Sequence, residues 1–198
     1  TNLKSTYDLF IDKIAINETS DWRHSDGVID RPDNKYFSVI GVNVSIENRE
    51  VINWDQPMVQ PSQEGLVAFI VRPIDGVYHF LVQAKLEAGN FDIIELAPTV
   101  QCLTGNYRTG LNEYSVPYID EVLAADKDCV LLDVMQSEEG GRFFNEQNRN
   151  MIVDVGENFS LEIGDNYCWM TLNQLLRLIE FNNYLNIASR SLISAIKF

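Results

Sequence analysis

The chain has 198 residues, 45% hydrophobic and 11% aromatic, enough apolar side chain to fill one sizeable core; an intrinsically disordered or collagen-like chain is excluded. Fifteen basic residues against 29 acidic ones leave a net charge of −14, a field that repels a nucleic-acid backbone and an anionic membrane surface. A small anion in a local pocket stays open, because the outer field is screened within about 8 Å at physiological salt.

In chain order, Leu3, Tyr7, Phe10, Ile11 and Ile14 fall at helical spacing and predict a short opening helix rather than an apolar leader. Residues 19–35 are polar, with Asp26-Gly27 and Arg31-Pro32-Asp33 punctuation, and predict a loop. The period then changes to two, and a strand is expected over Tyr36 to Ile46. Trp54 to Glu64, with Pro57 and Pro61, reads as a long loop. Leu66 to Arg72 and Val77 to Glu87 are expected to be strands of a hairpin around Pro73-Ile74-Asp75-Gly76. Tyr118 to Ala125 predicts a short helix, and Cys129 to Met135 and Met151 to Val155 predict strands. Thr171 with Gln174 forms a capping box, and Leu172, Leu175, Leu176 and Ile179 make the apolar face of a closing helix. Without a linker or an internal repeat, residues 1–198 read as one α+β module with helices at its ends.

Cys102, Cys129 and Cys168 are odd in number and far apart, so neither a disulfide framework nor a CxxC zinc site is expected. Reduced, mostly buried thiols in a cytoplasmic protein are the expectation. The apolar runs are too short to span a bilayer. No GxGxxG, GxxxxGK[ST] or GxSxG pattern occurs, and two histidines, His24 and His79, cannot make a multi-histidine metal site.

Three polar groupings could carry chemistry. On the strand Val77 to Glu87, alternation places Tyr78, Phe80, Val82, Ala84 and Leu86 on a core face and His79, Leu81, Gln83, Lys85 and Glu87 on the other. A pocket rim or a solvated sheet face would both look like this. Pro98-Thr99-Val100-Gln101 with Asn106-Tyr107-Arg108 is rich in amides and hydroxyls, suited to a sugar or a base, or to a structured loop. Gln136 to Phe144, followed by Asn148-Arg149-Asn150-Met151, gathers carboxylates, arginines and asparagines around Gly140-Gly141. Such a set could bind phosphate and move protons, or form a salt-bridged surface hairpin.

These segments resemble the NDP-hexose 2,3-dehydratase family of deoxysugar biosynthesis. The matching stretches include Tyr36 to Val42, Trp54 to Pro57, His79 to Asn90, Leu96 to Gln101, Asn106-Tyr107, Asp133 to Glu138, Asn148 to Met151 and Trp169 to Leu175. The resemblance implies a Nudix-like mixed sheet or partial barrel with flanking helices, lacking the Nudix box. It also implies a reaction without metal or redox cofactor. A base removes the C3 proton of an NDP-4-keto-6-deoxyhexose, typically thymidine-linked, and the C2 hydroxyl leaves as water. Glu138 and Glu87 are the expected base and acid, in an order left open. Lys85 would stabilise the enolate or share proton transfer, and Tyr107 would protonate or hydrogen-bond the sugar. Arg149, with Asn148 and Asn150, would hold the diphosphate, helped by Arg108 and Arg142. Trp54 would stack on the base, while Gln83, Gln101 and Asn106 would hydrogen-bond the ligand. Family members usually carry two such modules, so a homodimer is expected. A nucleotide-sugar-binding module or partner subunit without turnover is the alternative. The family's basic run before the asparagine motif is here Asn145-Glu146-Gln147, and an acidic residue near the last helix is Ala188. Both departures imply a rearranged grip on phosphate.

Overall fold

The structure, a computed structural model, describes residues 7–102 and 116–197. Among the described residues, two sheets and three α-helices make an α+β fold. The first sheet is antiparallel, in the order β1 (Arg23–Ser25), β2 (Val28–Asp30), β3 (Phe37–Ser45), β4 (Asn53–Pro61). The second is mixed. It is built on β5 (Gly65–Ile74) and β6 (Val77–Leu86), with β7 (Ile94–Ala97), β8 (Val100–Cys102), β9 (Val130–Ser137), β10 (Gln147–Asp154) and β11 (Tyr167–Thr171). Its main order is β11-β6-β5-β10-β9, with β10 parallel to β5 and the other pairings antiparallel. The helices are α1 (Ile119–Leu123), α2 (Leu172–Ile179) and α3 (Ile187–Ser194).

The β5–β6 hairpin forms where the sequence predicts it. Asp75 and Gly76 take φ of 49° and 77°, the left-handed pair of a two-residue turn that follows the twist of the strands. Residues 65–71 of β5 are buried on both faces, which explains their unbroken apolar run. One face carries Val67, Phe69, Val71, Phe80, Val82 and Ile152 and packs against Leu175 of α2 and Leu192 and Ile193 of α3. The other carries Leu66, Ala68, Ile70, Leu81, Met151 and Val153 and is covered by Val122 of α1 and by Tyr167. The expected two-faced reading of β6 is therefore corrected: Leu81 lies in the second core, while Tyr78 and Leu86 are exposed.

Past Val71 and Phe80 the two hairpin strands part. β8 pairs with β5 through Leu66–Ala68, and β7 pairs with β6 through Gln83–Leu86. Thr99 sits in the fork. Its hydroxyl accepts from the Ile70 N–H at 2.9 Å and donates to the Leu81 carbonyl, joining strands that no longer bond each other directly there.

Other expectations change. The described part of the predicted opening helix, residues 7–14, is exposed and non-helical, with Phe10 88% exposed. An isolated apolar stripe with no body to pack against does not sustain a short helix. The predicted loop 19–35 contains the β1–β2 hairpin, turned by Asp26-Gly27 at positive φ and clamped by a two-pronged Arg23–Asp30 pair at 2.6 and 2.8 Å. The predicted loop around Pro57 and Pro61 is β4, paired with β3 along its length. As an edge strand it tolerates proline, because half of its N–H positions need no ladder partner. α2 begins at the expected Thr171–Gln174 capping box. α3 has no clear signature in the sequence. Its buried stripe includes Ala188 and Ser189, which blur the apolar period.

Thr99→Val keeps the side-chain shape but leaves the Ile70 N–H and the Leu81 carbonyl buried without partners. We expect a loss of about 2–4 kcal/mol in urea denaturation, with Thr99→Ser close to wild type.

Candidate functional site

The site follows from strand register. Asn148 aligns with Gly65 of β5 and Gln136 of β9, and Asn150 aligns with Val67 and Val134. Aligned residues share a face, so Asn148, Asn150, Gln136 and Val67 form the floor of a cleft on the helix-covered side. Its walls are Glu138, Glu139, Arg142 and Glu146 of the β9–β10 connection and Ala188, Ser191 and Ser194 of α3. The volume is about 670 Å³, ample for a sugar.

Asn148 is buried at the centre. Its Oδ1 accepts from the Gly65 N–H at 2.9 Å, which turns its amide nitrogen toward the carboxylates. That nitrogen donates to Glu138 Oε1 at 2.7 Å, and Asn148 also hydrogen-bonds the Glu146 carboxyl. Burial pushes the Glu146 carboxyl above the usual range; the neighbouring Glu138 adds to the rise and Asn148 partly offsets it. The Oε1 atom of Gln136 is buried with no hydrogen-bond partner.

Lys85, Glu87 and Gln101 form a second cluster. Gln101 Nε2 donates to Glu87 Oε1 at 2.9 Å, and Lys85 Nζ lies 3.3 Å from the same oxygen. Asn186, buried at the N-cap of α3, donates to Gln101 Oε1 at 2.7 Å and to Glu87 Oε2 at 3.3 Å. Both Glu87 oxygens are thus engaged beside the cleft, outside its lining, and the cluster holds the start of α3. Gln101 aligns with Val67, so it stands two strands, about 10 Å, from Asn150.

Of the residues named from the sequence, Glu138, Arg142, Asn148 and Asn150 line the cleft. Arg149 does not join the neighbouring asparagines, which corrects that grouping. Alternation turns it to the opposite face, where it grips Asp133 at 2.8 and 2.6 Å and holds that carboxyl below its usual range. Gln83 lies within β6 between Tyr167 and Ala97, away from the cleft. Trp54 lies on β4, its Nε1 donating to Gln56 at 2.7 Å, and Gln56 in turn bonds the Gly141 carbonyl. Asn106, Tyr107 and Arg108 fall outside the described residues. Gln136 opens the third polar grouping without a role of its own, and period-two counting back from Glu138 places it on the cleft face; nothing in the sequence marks Glu146 or Asn186 as a site residue. The thiols are less buried than expected: Cys102 and Cys129 are half-buried and Cys168 is exposed. Among the described residues no three His, Cys, Asp or Glu side chains could hold a metal ion, and no helix is long and apolar enough to cross a membrane.

Fold and site together define an α+β protein with a carboxylate-bearing, amide-rich cleft beneath a short helix. Residues 1–196 match the NDP-hexose 2,3-dehydratase family, and the chain belongs to it. It is 42% identical over 193 residues to a dTDP-4-dehydro-6-deoxy-alpha-D-glucopyranose 2,3-dehydratase of Saccharopolyspora spinosa, covering 98% of this chain and 40% of that protein. A protein of the same name from Streptomyces violaceoruber is 41% identical over 186 residues, covering 93% and 41%. The chain thus spans about two-fifths of the length of these relatives. Among solved structures it is similar to an ADP compounds hydrolase (TM-score 0.46, 13% identity, 80% of this chain and 83% of that one). A Nudix hydrolase from M. smegmatis gives a TM-score of 0.41 and 14% identity over 77% and 91%.

A carboxyl that binds its proton more tightly in the folded chain lends stability that is full below its unfolded value, near pH 4, and lost as pH rises through the folded value. Glu146→Gln removes that loss. Urea midpoints measured against pH should show the variant gaining on wild type as pH rises above about 4; a constant difference would contradict the raised Glu146.

Proposed function

We propose that residues 1–198 act as one module of a sugar-nucleotide 2,3-dehydratase, with the cleft as its sugar site. The substrate class is an NDP-4-keto-6-deoxyhexose, thymidine-linked as in the names of the relatives. One observation carries the reading: Glu138 lines the cleft on a hydrogen bond from a buried asparagine, next to Gln136 on the same face. The C3 hydrogen is acidic because it lies alpha to the C4 ketone. Glu138 takes it as a proton, the enolate forms, and the C2 hydroxyl departs as water. The resulting enol tautomerises to a 3,4-diketo-2,6-dideoxy sugar. Arg142, exposed at the cleft rim, offers a guanidinium to the diphosphate.

A second reading, a nucleotide-sugar-binding module or partner subunit without turnover, is favoured by Arg149, whose guanidinium is engaged on the opposite face. Thymidine-diphospho-4-keto-6-deoxyglucose in deuterated water, followed by NMR, separates the two. Deuterium at C2 of a 2-deoxy product is expected, and Glu138→Gln should abolish turnover while thymidine diphosphate still binds. Saturable binding with no exchange at C3 would establish the second reading.

The homodimer is part of the proposal. Leu176, Ile179, Phe181, Tyr184 and Ile187 are exposed on the helical side, with the Phe181 and Tyr184 rings 6.0 Å apart, an apolar surface suited to a second module. Sedimentation equilibrium should show twice 22.6 kDa; a persistent monomer would contradict the pairing. The cytoplasm is the compartment we assign, in keeping with the lack of a disulfide among Cys102, Cys129 and Cys168.

A further inference from the structure

We infer that Glu146 is the proton donor to the departing C2 hydroxyl, working opposite Glu138 across the shared Asn148 amide. The inference rests on the dehydratase reading above.

The geometry comes from the β9–β10 hairpin. Ser137 aligns with Gln147, and the Glu138 N–H bonds the Glu146 carbonyl at 3.0 Å, so Glu138 and Glu146 are the next cross-strand pair. Side chains of such a pair leave the same face about 4.5–5.5 Å apart at Cβ. Two residues further in each strand, Gln136 stands opposite Asn148 on that face. The four side chains make a square whose corners all line the cleft. The Asn148 amide carries two N–H groups, enough for both carboxyls at once, and the Gly65 bond to its carbonyl oxygen keeps them pointed there.

Two carboxylates directly opposite each other repel, and the strain is relieved when one keeps its proton. Burial selects Glu146 for this, and Glu138 reinforces the choice. Among the described residues, the other charged groups at this end include Glu139 and Arg142, paired with each other at 3.5 Å, and Glu64, bonded to Gln147 at 3.1 Å. α3 lines the cleft with Ile187, Ala188, Ser191 and Ser194, none of them charged.

The step balances without a co-reactant. The Glu138 carboxylate takes the C3 proton, and the C–H electron pair becomes the enolate. As the enolate collapses, the C2–O bond breaks, and Glu146 gives its proton to the leaving oxygen, releasing water. The pair begins with one proton on Glu146 and ends with one on Glu138. The pair carries one negative charge before and after the reaction; while the enolate stands, both acids hold a proton and the charge sits on the sugar, so the two carboxylates are never ionised together. Passage of the proton back to Glu146, beside the Asn148 bridge, resets the site.

The test uses the purified protein with thymidine-diphospho-4-keto-6-deoxyglucose in deuterated water. Glu146→Gln should keep hydrogen–deuterium exchange at C3 within a few-fold of wild type while product formation falls about 10²- to 10⁴-fold. Glu138→Gln should lose both. Turnover by Glu146→Gln within about threefold of wild type would overturn the inference and leave the dehydratase reading standing. Loss of exchange together with product in Glu146→Gln would overturn the division of labour. Wild-type protein with neither exchange nor product would remove the dehydratase reading and the inference with it. A readout without substrate checks the pair itself: in ¹³C carboxyl titrations, Glu138→Gln should lower the midpoint of Glu146. An unmoved midpoint would overturn the coupling on which the inference stands.

Discussion

The fork between β5 and β6, closed by the Thr99 hydroxyl, is the constraint from which the rest of the arrangement follows. A hairpin that stayed paired along its whole length would leave no room for β7 and β8. Because it opens, β8 adds to β5 and brings Gln101 into line with Val67 and Asn150. β7 adds to β6 and offers Leu96 as the docking point of the last helix. The Leu96 N–H bonds the Tyr184 carbonyl at 2.7 Å, its carbonyl accepts from the Asn186 N–H at 3.1 Å, and the Ser189 hydroxyl donates to it at 2.9 Å. One hydroxyl at a branch point thereby determines where α3 lies, and α3 is a wall of the cleft.

The two polar clusters differ in how far they satisfy themselves. Lys85, Glu87, Gln101 and Asn186 satisfy one another, and such closed networks rigidify what they join. Gln136, Glu138, Glu146 and Asn148 are left partly open: an amide oxygen lacks a donor, and two acids face each other. Unsatisfied polar groups of this kind cost stability and are retained where a ligand completes them. The contrast explains why the carboxylates of two family-like motifs have different settings. Glu87 has both oxygens engaged by neighbours, whereas Glu138 is held by one bond and faces open volume.

Much of this was legible in the residues. The unbroken apolar run of β5, the Asp75-Gly76 turn and the Thr171–Gln174 box each act over a few residues, and each is found where expected. What failed depends on distant partners. Pro57 and Pro61 fit a strand because β4 lies at a sheet edge, a fact about topology. The apolar residues 7–14 lack a surface to pack on, so their spacing produces no helix. Placing Arg149 with Asn148 and Asn150 ignored the strand period, which sends alternate side chains to opposite faces. In the sequence Glu146 shows only as a departure from a basic run, because its significance lies in standing across from Glu138, and only the hairpin register shows that.

The central claim is that the ligand sits on the helix-covered face, between the β9–β10 connection and α3. A crystal structure of the protein with thymidine diphosphate tests it most directly. The account predicts the diphosphate at Arg142 and the path toward the sugar leading to Gln136 and Glu138. Density for the nucleotide on the Arg149–Asp133 face, with the cleft closed to it, would contradict the account.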